Sequence, residues 1–248
     1  MAGTWLAARH GTAALAAAQG VPSVFSGSAN VIAVVVLLLE FGMFRQALLR
    51  DQIRLYAAQS AAVSVLAVIV AAARHVPELY VLAALSAALK VVIVPLVLRR
   101  LLRGAPDEIA GSGALSLASL GRGGGAGASP VLLAIAVGAF GFFAVGTLGI
   151  AGVTLPQTAL GLAMAVVLVA FVLMIVRRDV VSQAIGFFSL ENGVSLAALV
   201  IAAHLPLIRE VAILFDLLVA VVVFGVLIRV HHGRAESLST AGLTRLRG

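Results

Sequence analysis

The sequence contains no cysteine. Disulfides, thiolate metal sites, iron–sulfur ligation and cysteine nucleophiles are therefore excluded within this chain. It also has little charge: 11% of its 248 residues are Asp, Glu, Lys or Arg, while 62% are hydrophobic and the mean hydropathy is +1.16. Soluble domains average about half apolar and about a quarter charged residues. A water-soluble protein of this size cannot bury so much apolar surface, so the solvent is lipid. Lysine is nearly absent as well. Sixteen of the seventeen basic residues are arginine, and Lys90 is the exception. No His or carboxylate cluster has metal-ligand spacing, and no nucleophile stands beside a base, so neither a metal nor a cofactor is expected. "GRGGGAG" (121–127) lacks the Gly-Lys-Ser/Thr ending of a phosphate-binding loop.

What is present is a set of apolar runs. Runs of spanning length, roughly 20 residues, occur near 28–48, 56–75, 79–99, 130–150, 157–177, 181–203 and 208–229. The expectation is an all-α, polytopic membrane protein of about seven transmembrane helices. With the N-terminus outside and the C-terminus cytoplasmic, thirteen arginines fall on the inner side. Only Arg9, Arg74 and Arg209 fall outside. That asymmetry follows the positive-inside rule. The net charge of +7 thus orients the chain in a bilayer, and nucleic acid is not an expected partner.

The chain divides into an N-terminal extension (1–26, with a weak signal-like segment as the alternative) and a three-helix bundle (27–103). A glycine-rich cytoplasmic linker (104–129), a four-helix part (130–232) and a cytoplasmic tail (233–248) follow. Helices one to three and five to seven then run in the same sense, with the fourth as the odd crossing. Both trios carry an Arg-Asp turn, Arg50-Asp51 and Arg178-Asp179, and a polar pair in the second helix, Gln59-Ser60 and Glu191-Asn192. A parallel three-plus-three repeat is conceivable, although the spacings differ by four residues. Gly138, Gly141, Gly146 and Gly149 of the fourth run allow close helix approach.

"FFSLENGVSLAALVI" (187–201) places a carboxylate inside an apolar run. Glu40, Lys90, Glu191 and Asp216 all count to roughly 12–18 Å from a span end, at 1.5 Å per residue in a core about 30 Å thick. A charge at that depth costs several kcal/mol and commonly marks an ion pathway. The structural alternative is a neutralised pair, for instance Glu40 with Lys90. Three acids against one base leave carboxyls that such a pair cannot account for. Lysine, unlike arginine, can shed its proton when desolvated. Pro95, five residues on, frees a backbone carbonyl beside it. His75 and His204 are expected at outer ends, and His231 and His232 at the inner end of the last helix.

Taken together, "IRLYAAQS" (53–60), "ALKVVIVP" (88–95), "FFSLENGVSL" (187–196), "REVAILFDLLVAVVVFGVLIRV" (209–230) and "LTRLRG" (243–248) resemble the hydrogenase-4 component E family. These are membrane subunits of formate hydrogenlyase-type complexes. The last three helices also resemble the small K-type subunit of respiratory complex I and the C-type subunit of multisubunit cation/proton antiporters. The resemblance implies that Glu191 occupies the place of a mid-membrane glutamate on a proton-conducting axis. Asp216 would be the second acid, and Glu210 with Asp216 would reproduce the family's two acids six apart. Lys90 with Pro95, and Tyr56 with Gln59, fit the same pattern, with Asn192 as a supporting polar group. The resemblance does not extend to Glu40, whose role is inferred from its depth.

The expected function is a non-redox subunit of a prokaryotic cytoplasmic (inner) membrane complex. It would not be an enzyme on its own, and its partners would be antiporter-like and hydrogenase-like membrane subunits. The alternatives are a purely structural scaffold in such a complex and a stand-alone secondary transporter.

Overall fold

The computed structural model describes residues 23–46, 48–102, 130–148, 156–177 and 179–202, and the isolated helical positions 219, 222, 225 and 226. The described residues are helical apart from short turns. Their helices are α1 (Ser23–Arg45), α2 (Leu49–Arg74), α3 (Pro77–Ala87), a π-helical segment (Ala88–Ile93), α4 (Val94–Leu102), α5 (Pro130–Thr147), α6 (Gln157–Val176) and α7 (Val180–Ala202). α3, the π segment and α4 form one continuous rod. By length and composition six stretches can cross a membrane: Gly27–Arg45, Leu49–Ala73, Pro77–Arg100, Pro130–Thr147, Gln157–Val176 and Val180–Ile201. They coincide with six of the seven expected spans. Of the seventh, 208–229, only the four isolated positions lie within the described residues. Glu210 and Asp216 lie outside them, as do the linker 104–129, residues 1–22 and the tail.

The turns explain where the helices stop. His75 takes a left-handed conformation (φ 53°) and its N–H bonds to Ala71 O. Pro77 then opens α3, where its missing N–H removes no helical bond. His75 is thus the expected helix-end residue. Asp179 Oδ1 accepts the Ser182 N–H at 2.7 Å, the geometry of a capping carboxylate that also suits a helix N-terminus electrostatically. α1 ends at Arg45 rather than at 48. Arg177 donates from one guanidinium nitrogen to Phe44 O (3.0 Å) and Gln46 O (2.6 Å), so a side chain satisfies carbonyls that a longer helix would have bonded.

Sequence offsets between contacting residues give the helix directions. Gln52 meets Ser182 and Gln59 meets Ser189, both 130 residues apart, and Ser60 meets Asn192, 132 apart. A constant offset means that α2 and α7 run parallel. Thr158 donates to Asn30 at an offset of 128, and Arg177 meets Phe44 at 133, so the α1–α2 and α6–α7 hairpins lie side by side in the same sense. This is the geometry that an odd intervening crossing, α5, makes possible.

The α2–α7 contact is a 3-4 seam. Gln52, Tyr56, Gln59, Val63, Leu66 and Val70 of α2 face Ser182, Ile185, Ser189, Asn192, Leu196 and Leu199 of α7, and all are buried. Spacings alternating three and four keep one stripe of each helix against its neighbour. The stripe is polar in its first half and apolar in its second. Two apolar clusters pack around the polar part. One includes Ala33, Val36, Val63, Leu66 and Leu196. The other includes Met43, Phe44, Tyr56, Ile185, Phe188 and Val219.

Small residues bring α5, α6 and α7 together, as expected where lipid gives helices no hydrophobic reason to associate. A Cβ on Gly141 would lie 2.7 Å from Leu168 Cδ1, and one on Gly193 2.8 Å from Val167 Cγ2 and 3.1 Å from Val167 N. Gly138 likewise faces Val169, but Gly146 faces open space and Gly149 lies outside the described residues. The outward surface is apolar: Val31, Leu38, Val81, Phe140, Phe143 and Ile175 are all exposed. An apolar exterior of this extent fits lipid, not water.

Candidate functional site

Among the described residues two buried centres contain a carboxyl group, and they differ in their partners. The first is an ion pair. Lys90 Nζ lies 2.9 Å from Glu191 Oε1, with 3% and 2% of the two side chains exposed. Lys90 Nζ also donates to Ser195 Oγ at 3.4 Å. Glu191 is eleven residues after Val180 and ten before Ile201, about 15 Å from either end. Lys90 is ten residues before Arg100 in its own span. Both stand near the middle of their helices.

Pro95 explains the backbone around Lys90. A proline in a helix removes one N–H, and its ring clashes with the carbonyl four residues earlier, here that of Val91. The chain widens ahead of it, and the Val94 N–H bonds to Leu89 O, five residues back. Single π turns inside α-helices are frequent at functional sites. In this chain the turn holds the only lysine.

The second centre is uncharged on every side but one. Glu40 is fully buried. Its Oε2 accepts from Gln59 Nε2 at 2.8 Å and is in hydrogen-bonding contact with Ser189 Oγ. Gln59 Nε2 also donates to Val36 O (3.3 Å). Gln59 Oε1 accepts from Asn192 Nδ2 (3.1 Å) and is 2.9 Å from Ser189 Oγ. Asn192 Nδ2 donates to Ser60 Oγ as well, at 2.9 Å. Among the described residues no cation pairs with Glu40. The Glu40–Lys90 pair posed as the structural alternative is therefore not the one formed: Glu191 takes the lysine. Glu40 also sits only five residues before the end of its span at Arg45, about 7–8 Å along the axis. Its partners Gln59 and Ser189 nevertheless lie ten and nine residues inside their own spans, close to the level of Glu191.

Tyr56 is buried with its ring 5.7 Å from that of Phe188, one seam position before Gln59. Asn192 donates to Gln59, and this bond joins the polar clusters of α2 and α7 directly.

Three serines and one glutamine contribute contacts that sequence reasoning missed: Ser182, Ser189, Ser195 and Gln52. Arg177 was expected only as one of the inner positive charges, yet it is 2% exposed. Burial pushes its guanidinium pKa down and nearby Asp179 pulls it back up, which leaves it charged. It ties the α1–α2 and α6–α7 turns together, and Gln52 reinforces the link by donating to Gln46 O (3.0 Å) and accepting from Ser182 Oγ (2.8 Å). No group of three or more His, Asp or Glu able to hold a metal occurs among the described residues.

No family model matches the chain and no solved structure matches it. It is similar to the uncharacterized protein Rv0085 of Mycobacterium tuberculosis (strain ATCC 25618 / H37Rv), with 46% identity over 76 residues, 31% of this chain. The chain covers 34% of that protein's length, about a third of the relative it matches.

Proposed function

We propose that this protein is a non-redox subunit of a complex I-related membrane hydrogenase, of the formate hydrogenlyase kind, and that Lys90 and Glu191 hand protons along the centre of the membrane. The observation that carries this reading is the buried pair on the π turn. A proton moving from the Lys90 ammonium to the Glu191 carboxylate converts two charges into two neutral groups without changing the total. In either form the buried pair carries no net charge, so the transfer leaves no uncompensated charge in the interior. Ser195 offers a hydroxyl that can accept or return the lysine proton. Arginine could not serve, because its guanidinium stays protonated.

In this reading the seventh span, with Glu210 and Asp216, extends the path. The protein lies in a prokaryotic cytoplasmic membrane with its N-terminus outside, has no catalytic activity alone, and works beside antiporter-like and hydrogenase-like subunits. Its family is that of hydrogenase-4 component E, on the strength of the residues quoted above.

One observation favours a second reading. A pair held at 2.9 Å with both partners buried is also what a fixed structural clasp between the π turn and α7 looks like. In that case the protein is a scaffold of the same complex.

Orientation is tested by a Ser119→Cys variant, since the native chain has no cysteine to interfere. A membrane-impermeant thiol reagent should label it only after the cells are opened. Labelling from outside intact cells contradicts the topology. Membership of a complex is tested by affinity purification of the full-length chain followed by mass spectrometry. Antiporter-like and hydrogenase-like subunits should co-purify, and the chain should be degraded in strains lacking them. A folded monomer that transports a solute in liposomes would instead establish a stand-alone transporter.

A further inference from the structure

We infer that Glu40 is a second proton-binding site, separate from the Lys90–Glu191 pair, and that it holds its proton as a neutral carboxylic acid bonded to Ser189. The argument is a count of hydrogens. Val36 O is a backbone carbonyl and can only accept, so the Gln59 group facing it must be the amide nitrogen. That fixes Gln59 Oε1 as an acceptor on the other side. Asn192 Nδ2 supplies one hydrogen to it, and Ser189 must supply the other. The serine hydroxyl has one hydrogen, now used. Its contact with Glu40 Oε2 then lacks a proton unless Glu40 carries it. With Glu40 protonated every contact closes: Glu40 donates to Ser189, Ser189 and Asn192 donate to Gln59, and Gln59 donates to Glu40 and Val36.

Reversing the Gln59 amide to rescue an ionised Glu40 fails. Its oxygen would then face the Val36 carbonyl and a carboxylate, and its nitrogen would face the Asn192 nitrogen. The second oxygen points to the same conclusion. Glu40 Oε1 is buried and has no hydrogen-bond partner among the described residues. An ionised carboxylate spreads its charge over both oxygens and would leave half of it unsolvated, whereas an acid leaves only a carbonyl.

Among the described residues no free cation is in place to hold an ionised Glu40. α1 carries Arg45 at its end, and α6 has no titratable residue. α2 carries Arg50, Asp51, Arg54 and Tyr56 before Gln59, and Arg74 at its far end. α7 carries only Glu191, committed to Lys90. Arg177 at the inner turn is occupied by the carbonyls of Phe44 and Gln46.

The inference concerns a different carboxyl from the proposed relay and stands whether or not Lys90 and Glu191 move protons. It is tested by infrared difference spectroscopy of the full-length protein, purified with its co-purifying partners, at neutral pH. Wild type minus Glu40→Gln should show a protonated carboxyl C=O band that shifts in deuterium oxide. Glu40→Gln keeps the side-chain volume, but an amide nitrogen facing Ser189 cannot also accept from Gln59 as the acid oxygen does, so some loss of stability is expected. Should that variant not fold, Ser189→Ala provides the same reading: the band remains and moves to higher frequency, as a carboxylic acid does when it loses its acceptor. A carboxylate band in place of the acid band, or an acid band removed by sodium at constant pH, overturns the inference. The first outcome makes Glu40 ionised and the second makes the centre a cation site.

Discussion

Removing one member of the Lys90–Glu191 pair should destabilise the protein far more than removing both. Lys90→Met leaves a carboxyl buried at the middle of a span with its cation gone, and Glu191→Leu leaves an amine in the same position. Breaking a buried pair in this way typically costs about 3–5 kcal/mol. The double variant Lys90→Met/Glu191→Leu buries two apolar side chains of similar size, and replacing whole ion pairs by apolar groups is often neutral or stabilising. The expected result is a large drop in apparent unfolding temperature for each single variant and recovery of most of it in the double. The coupling energy of that cycle measures the pair directly. Additive losses would mean that the two groups do not depend on each other. Glu191→Gln is milder than Glu191→Leu. It keeps an acceptor for Lys90, and the amine can shed its proton to remain as a neutral donor.

The spans were legible because lipid imposes one rule on every segment it touches: the outward surface must be apolar and the backbone satisfied within the helix. Six runs became six helices for that reason. That Lys90 and Glu191 stand apart from their apolar helices was legible too, since an ionisable group inside a span is costly enough to be conspicuous in the sequence. Which acid meets the lysine was not legible. Depth is a one-dimensional coordinate, and Glu40 and Glu191 looked equivalent along it. Packing of α2 between α1 and α7 decides the matter, giving Glu40 an amide and a hydroxyl and giving Glu191 the cation.

The polar seam did leave a signal that depth counting passed over. Gln52 and Gln59 are seven apart, as are Ser182 and Ser189. A seven-residue repeat of small polar groups on two apolar helices marks facing stripes. Arg177 was hidden by its own rule: the positive-inside count treats each arginine as a surface charge, and this one spends its hydrogens on the end of α1. Pro95 foretold a freed carbonyl, but whether a helix kinks or widens there depends on its neighbours. Of the glycines in α5, Gly138 and Gly141 lie on the side that meets α6, while Gly146 does not. That distinction depends on the face and not on the residue type.

The most direct test of the proposed function is proton uptake by membrane vesicles, driven by the complex's own redox reaction and normalised to assembled complex on native gels. Glu191→Gln keeps the volume and hydrogen-bonding capacity of the side chain and removes the proton it would carry. Uptake should fall on the order of a hundredfold, the low end of what a positioned proton-transfer group contributes, with assembly intact. Lys90→Arg should be nearly as severe, because the charge survives but can no longer be switched. A structural clasp gives the reverse order: Lys90→Arg mild, and Glu191→Gln acting through assembly alone. Loss of uptake in both variants at normal assembly is the result expected of a relay, and unchanged uptake per assembled complex in both would contradict it.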